Sequence, residues 1–509
     1  MPSDPDRFDW HPEPTLIGFA DEARARPALE TLGSAIWDEA LAYLYGYAVR
    51  RPVGTDSYPE LRRTFFGEDG RPGSPPAEPS TSTAVLAEFR DRVAPYLFNS
   101  QHPGAFSYFT PPPLPISIAG ELLSQWAQQG TDVWHAGPIA ALVEEEVIAW
   151  LRDLVGFDGE GFGVLTSGGV MANLIGMTVA RDRHLRRLLG HDDPPRGARL
   201  ERTRVYASDQ THFSIARALD VLGFPSDTLR VIASDERYRL RAEPVAEAIA
   251  EDRAAGLRPF AISGVAGSTN TGSVDRLAEL ADLAEREDLW LHVDAAYGGA
   301  ARFSERLAGR IPALERADSV TVDPHKWFFQ AYDIGGLVVR SREDLHETFH
   351  RSPEYYRSSL PETQPLNWYE YSIEGTRRFR ALKLWLSWKF LGTEGFARLV
   401  EDNVALAVYL VKRCRELRGF EVEPEDPELS VICFRHVPPG LEGDALDAHQ
   451  DRLQRALEVS GEGWVSTTKL RGRTYLRAGI VNYLSTEDDV DRVLDSLVRA
   501  STATLEGSA

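Results

Sequence analysis

Lysine is nearly missing from this chain. Of 56 lysine and arginine residues in 509, only five are lysines: Lys326, Lys383, Lys389, Lys412 and Lys469. Cysteine is scarcer still. Cys414 and Cys433 are the only two, which excludes a disulfide framework and a cysteine-rich metal centre and fits a reducing compartment. Excess positive charge is also lacking: the formal net charge is -21, which argues against nucleic acid or an anionic membrane as partner. No apolar run reaches the about 18 residues that a membrane helix needs. The N-terminus, Met1 to Asp6, is acidic and polar, unlike the basic-then-apolar order of a signal peptide. No internal repeat or low-complexity tract is present. These absences leave a soluble cytoplasmic protein, long enough for two or three domains with sizeable cores.

What is present begins with helical spacing. Apolar residues recur every three or four positions from Thr15 to Arg50, at Leu29, Leu32, Ile36, Ala40, Leu41 and Leu44. This face packs either on a partner subunit or on its own chain. Gly67 to Ser82 is rich in Gly, Pro and Ser and reads as a surface linker. The aromatic stretch His102 to Thr110, followed by Pro111 to Pro113, either lines an apolar pocket or plugs a core. A helix is predicted over Ile139 to Leu154.

From Val164 the pattern alternates β and α. Strands are predicted at 163–165, 204–207, 229–233, 260–265, 289–293, around Val320 and at 336–340. Helices are predicted at 171–189, 213–222, 244–254 and 274–286. Such alternation predicts an α/β fold with a mainly parallel sheet, helices on both faces and ligands at the carboxyl ends of the strands. Beyond it, helices at 385–391 and 403–417, strands at 430–434 and 474–478 and a helix at 488–499 predict a smaller α+β domain. The expected division is an N-terminal helical segment 1–113, a large domain 114–388 and a small domain 389–509.

Four strand ends carry chemistry. Ser167-Gly168-Gly169-Val170 joins a strand to a helix, where free N–H groups make an anion site suited to phosphate. It lacks the Gly-Lys-Ser/Thr of a P-loop and the dinucleotide Gly-x-Gly-x-x-Gly. His212 follows the next strand, where a lone histidine is more often a cap or a core residue. Asp294, in His292-Val293-Asp294-Ala295-Ala296-Tyr297, ends an apolar strand, where a carboxylate is costly unless it meets a cation. Lys326, in Asp323-Pro324-His325-Lys326-Trp327, stands among aromatics; a desolvated lysine can become a neutral amine and attack a carbonyl, whereas arginine stays charged. Taken alone it is equally a lysine snorkelling to water. Together the four ask for pyridoxal phosphate: phosphate on a helix end, carboxylate on the ring nitrogen, imidazole on the ring face and lysine on the aldehyde.

The Asp294 and Lys326 motifs resemble the signature of the pyridoxal-phosphate-dependent group II amino-acid decarboxylases. The resemblance spans nearly the whole chain, including Tyr108-Phe109, the Gly-Gly turn, Ser268 in Gly267-Ser268-Thr269, Arg377 to Lys383 and Cys433-Phe434-Arg435. It implies the aspartate-aminotransferase-like fold (fold type I), a homodimer, and a Schiff base between Lys326 and the cofactor. It also implies cofactor contacts from Gly168, Gly169, Val170, His212, Ser268, Asp294, Ala296, His325 and Lys326. Tyr108 and Phe109 fall at substrate-binding positions, and their apolar character favours an aromatic L-amino acid. Tyr355, in Ser352-Pro353-Glu354-Tyr355, matches the catalytic tyrosine that returns a proton to Cα; with Lys326 and His212 it completes the expected catalytic set. A tyrosine there favours amine formation over aldehyde synthesis. The alternatives are a glutamate-like or aliphatic substrate, or aldehyde synthesis. Two positions depart from the pattern: Val170 stands where relatives often carry Ser or Thr, and Asp323 where some carry Asn.

One motif points elsewhere. His346-Glu347-Thr348-Phe349-His350 is an H-E-x-x-H, the zinc-peptidase pattern. Nearby arginines and the lack of a third-ligand motif weigh against it, and no metal site is expected.

Overall fold

The fold is described from a computed structural model, over residues 22–46, 49–189, 200–351 and 366–506. Two compact units emerge. One comprises the described residues of Met1–Ala105, Arg452–Trp464 and Leu484–Ala509; the other comprises those of Phe106–Asp451 and Val465–Tyr483.

In the first unit, the helix Glu22–Tyr45 carries Pro27 inside it. Leu29, Leu32, Leu41 and Leu44 are half-buried, while Ile36 and Trp37 stay exposed at 50% and 59%. Residues 67–81 form neither helix nor strand, and Thr81 caps the next helix, its side chain accepting from Ala84 N.

The second unit holds two sheets. Seven strands build the larger one: β1 (Phe162–Thr166), β2 (Thr203–Ser208), β3 (Leu229–Ile232), β4 (Arg258–Val265), β5 (Trp290–Asp294), β6 (Ser319–Val322) and β7 (Gly335–Val339). Their order is β1-β7-β6-β5-β4-β2-β3. The run from β3 to β6 is parallel, and β7 lies antiparallel between β6 and β1. The departure from a wholly parallel sheet has a local cause. A parallel return needs a crossover, usually a helix, whereas β6 and β7 are joined by a compact turn, residues 323–334. Because β7 reverses twice, β1 again runs with β6, so the carboxyl ends of β1, β2, β4, β5 and β6 share one edge. The strands β1, β5, β6 and β7 are buried along their whole length, as a sheet covered on both faces requires. The core runs through the sheet and its helices, from Leu114 to Val481.

The second sheet is antiparallel, ordered β10-β11-β9-β8, from β8 (Phe420–Glu423), β9 (Val431–His436), β10 (Ser466–Leu470) and β11 (Arg473–Gly479). β8 and β10 escape the sequence reading because they are short edge strands, only partly buried over most of their length and rich in Glu or in Ser and Thr. The two helices predicted around 385–417 form one run, Ala381–Glu416, broken at Gly392 where φ is 65°; glycine enters that region without a Cβ penalty. Among the described residues no helix is long and apolar enough to cross a membrane.

Candidate active site

The shared strand edge opens into a cavity of about 380 Å³, within the range of roughly 300–1,000 Å³ for small-molecule sites. Lys326 enters it from the turn after β6. Its Nζ lies 3.1 Å from Asp323 Oδ2. The same oxygen accepts from Gly169 N at 3.0 Å and lies 3.6 Å from His325 Nε2. Asp323 is 2% exposed and its Oδ1 has no hydrogen-bond partner. The carboxylate that stands here where some relatives carry Asn is therefore turned to the lysine amine and the start of a helix.

The Gly168-Gly169-Val170 turn follows β1 and opens the helix Gly169–Leu189. The first N–H groups of a helix lack partners inside it; here Gly168 N donates to Thr166 Oγ1 at 3.2 Å and Gly169 N is taken by Asp323. Glycine is required at 169: a Cβ there would lie 2.8 Å from Asp323 Oδ2. Val170 is 39% exposed and lines the cavity without a hydroxyl to offer.

Asp294 ends β5. Its Oδ2 accepts from Asn173 Nδ2 at 2.8 Å and its Oδ1 from Ala296 N at 3.1 Å. Asn173 also donates to Ser214 Oγ at 2.8 Å. Ser214 Oγ lies 2.8 Å from His212 Nδ1, which accepts from Ser214 N as well. With Nδ1 occupied as acceptor, the His212 proton sits on Nε2 in the neutral ring. Burial lowers its pKa, partly offset by Asp294. Behind these, His292 Nε2 lies 3.0 Å from Asn173 Oδ1, and Thr321 Oγ1 donates to that oxygen at 2.6 Å. His292 Nδ1 and Trp290 Nε1 both meet Ser319 Oγ, at 2.8 and 2.9 Å. His325 is fixed differently: its Nδ1 accepts from Ile334 N at 3.2 Å and burial lowers its pKa.

Phe109 forms part of the wall. It stacks on Tyr297 at 4.1 Å, Tyr297 stacks on Trp327 at 4.9 Å, and Arg477 lies 4.9 Å over Phe109. Arg477 is buried and bonds the carbonyls of Ser107 and Thr269, so its charge braces the wall from behind.

The cavity thus brings together Gly168, Gly169, Val170, His212, Asp294, Ala296, His325, Lys326 and Phe109. Two expected residues are not on its wall. Ser268 is 1% exposed, its hydroxyl 2.8 Å from Thr271 Oγ1, and only its neighbours Gly267 and Thr269 reach the cavity. Tyr108 is 58% exposed and does not line the cavity. Tyr355 lies outside the described residues. Asn173 and Arg477 were missed by sequence reasoning. Asn173 carries a usable signal, a polar residue on the buried face of a helix one turn after an anion-binding turn; Arg477 carries none, since its place depends on a strand distant in the chain.

The model of the pyridoxal-dependent decarboxylase conserved domain matches residues 68–437. The aromatic-L-amino-acid decarboxylase of Bacillus atrophaeus is 33% identical over 94% of this chain and 92% of its own. The cysteine sulfinic acid decarboxylase of Homo sapiens is 31% identical over 96% and 98%. The crystal structure of Oryza sativa TDC with PLP and tryptamine is 26% identical and superposes with a TM-score of 0.86, covering 94% and 98%. The chain belongs to the pyridoxal-dependent decarboxylase family: it is an amino-acid decarboxylase whose cofactor is pyridoxal phosphate.

The donor set suits that group. It offers a lysine amine, a carboxylate held by two donors, a half-buried imidazole and a glycine turn at a helix start, all on one cavity. The zinc-peptidase reading fails on geometry as well as family. Glu347, which would be the base, pairs instead with Arg186 at 3.0 Å.

Proposed function

We propose that this chain decarboxylates an aromatic L-amino acid to its amine and CO₂, with Lys326 as the residue that carries the cofactor and Tyr355 as the donor of the Cα proton. The observation that carries this is the convergence of Lys326, Asp294, His212 and the Gly168-Gly169 turn on one cavity. Bound there, the cofactor supplies an electron sink for the pair left behind by CO₂. In this reading Asp294, held by Asn173 and Ala296, would meet the ring nitrogen, His212 would lie against the ring, and the 168–170 turn and His325 would hold the phosphate end. The product needs one proton at Cα for each CO₂ lost, and Tyr355 is assigned to deliver it.

The aromatic substrate is supported by the wall. Phe109 and the 54%-exposed Phe213 present apolar rings. Among the described lining residues Lys326 is the one lysine or arginine, and the reading gives it to the cofactor. An acidic substrate side chain would need another cation. The 33% identity to an aromatic-L-amino-acid decarboxylase is compatible with this reading, as the 31% to a cysteine sulfinic acid decarboxylase is with an acidic one. A homodimer and a cytoplasmic location complete the proposal.

The test is a panel of L-amino acids scored for amine, aldehyde and CO₂, with borohydride reduction and peptide mapping. Reduction is expected to fix the cofactor on Lys326, and Lys326→Ala to lose both the label and turnover. Tyr355→Phe is expected to slow amine release and divert product to aldehyde. Amine formed at the wild-type rate by Tyr355→Phe would remove that residue from the reaction, and preferential turnover of an acidic amino acid would overturn the substrate assignment.

A further inference from the structure

The histidines of the abandoned peptidase motif have a different neighbour. His346 lies on the helix Arg342–Phe349, and His350 caps its end, its N–H donating to His346 O at 2.8 Å. The two rings are 4.5 Å apart between centroids. Glu370, on the short helical turn Trp368–Tyr371, brings its carboxylate to the same point: Oε1 lies 3.3 Å from His350 Nδ1. One ligand atom from each of the three lies within 4.8 Å of the other two.

We propose that His346, His350 and Glu370 form a binding site for a divalent transition-metal ion, zinc in class, separate from the cofactor cavity. The donor set is the two imidazoles and one carboxylate that zinc accepts in sites keeping an open position. Tetrahedral geometry with bonds of about 2.0–2.2 Å puts neighbouring ligand atoms roughly 3.3 Å apart, the separation already held between His350 and Glu370. The remaining contraction, from at most 4.8 Å, is within reach of side-chain rotation, because His346 is half-buried and His350 is exposed at the helix end. That exposure also supplies the entry path and a fourth position for water.

The surrounding charges leave the centre free for a cation. Arg342 is engaged by the Tyr371 hydroxyl at 2.7 and 3.1 Å and lies over the Phe162 ring. Arg351 donates to the His350 carbonyl at 2.6 Å. Glu347 is held by Arg186, so no carboxylate base faces the site and hydrolysis is not part of the proposal. The ion would bind between chain segments on either side of residues 352–365 without touching Lys326 or Asp294.

The test uses the full-length holoenzyme, stripped with a chelator and dialysed, then titrated with Zn²⁺ by calorimetry. One equivalent per chain is expected, and Co²⁺ in its place should give the strong visible absorption of a four-coordinate ion. His350→Ala and Glu370→Gln should each lose that equivalent and that absorption, while Glu347→Gln keeps both. Far-ultraviolet dichroism and the cofactor absorbance, unchanged in the variants, separate loss of the site from loss of the fold. The proposal is overturned if wild type takes up no more Zn²⁺ than His350→Ala, or if Glu347→Gln removes the site as completely as Glu370→Gln does.

Discussion

Asn173 should matter more than any sequence motif announces. Its side chain is 1% exposed and makes four hydrogen bonds: it donates to Asp294 and Ser214, and accepts from Thr321 and His292. Asn173→Ala would strand these partners unequally. Ser214 keeps His212, the Thr321 hydroxyl can rotate, and Asp294 borders the cavity, where water can reach it. His292 is 0% exposed, so its Nε2 proton would have no substitute. One dry orphan costs about 1–3 kcal/mol, and the weakened carboxylate adds a comparable amount, for a total on the order of 2–6 kcal/mol. Urea unfolding of the cofactor-free protein should show that loss, and cofactor titration should show weaker retention, since Asp294 would keep only the Ala296 N–H.

Asn173→Asp sharpens the test. It preserves shape but sets a second carboxylate at the 2.8 Å separation now bridged by a hydrogen bond. Two carboxylates that close cannot both ionise, so one folded-state pKa must rise. A raised acid pKa means the folded state binds the extra proton; the contribution of this pair is then greatest below about pH 4, the unfolded value, and falls as pH rises above it. An Asn173→Ala protein with the wild-type urea midpoint and cofactor affinity, or an Asn173→Asp protein whose stability ignores pH, would refute the assignment of Asn173 as the bridge.

Two further outcomes follow from buried charge. Burial drives His292 down to about 4 from an ordinary value of about 6.5. Its contribution is therefore fully present above pH about 6.5 and is lost as pH falls toward 4, by up to about 1.4 kcal/mol per pH unit; His184, lowered to about 4 as well, adds to the same limb. Urea midpoints recorded against pH should show His292→Asn with a shallower acid slope than wild type, and an unchanged slope would refute this. Arg377 and Glu144, 1% and 0% exposed at the side chain, pair in the core, and both also bond Leu165 of β1. Arg377→Ala should lose about 3–5 kcal/mol, because it strands a buried carboxylate. Thermal unfolding would contradict this if the loss stayed under about 1 kcal/mol, the scale of a surface pair.

The legible part of the fold was its repetition. Apolar runs of β-branched residues alternating with helical spacing marked the strands of the large sheet, most plainly β1, β5, β6 and β7, which are buried along their whole length. The direction of β7 was not legible, since it depends on whether residues 323–334 fold as a crossover or a turn. The edge strands β8 and β10 were hidden by the same physics that exposed the others: little burial leaves little pattern. At the site, residues at strand ends were readable because topology brings them to one edge whatever the side chains do. Ser268 was misleading because a hydroxyl next to two cavity-lining neighbours can still turn inward, here to Thr271. That partner is three residues on in the same turn, and its N–H also donates to Ser268 Oγ at 3.3 Å.

The polar column inside the sheet closes the connection between fold and chemistry. His292, Ser319, Thr321 and Asn173 are all nearly inaccessible, in the middle of an otherwise apolar layer. A sheet built for stability alone would do as well with apolar residues of similar volume, since a buried polar network returns little net energy after desolvation. What this network does have is direction. Starting from Trp290 and Ser319, each group is satisfied by the next, through His292 to Asn173, and the last free donors are the two hydrogens of one carboxamide. One is spent on Asp294 and the other, through Ser214, on His212. A single rigid amide thus sets both the carboxylate and the imidazole that border the cavity. In this arrangement, rotating Asp294 would break a chain anchored two strands deep. The cost of burying the column is the means by which a flexible carboxylate at a strand end is given one orientation.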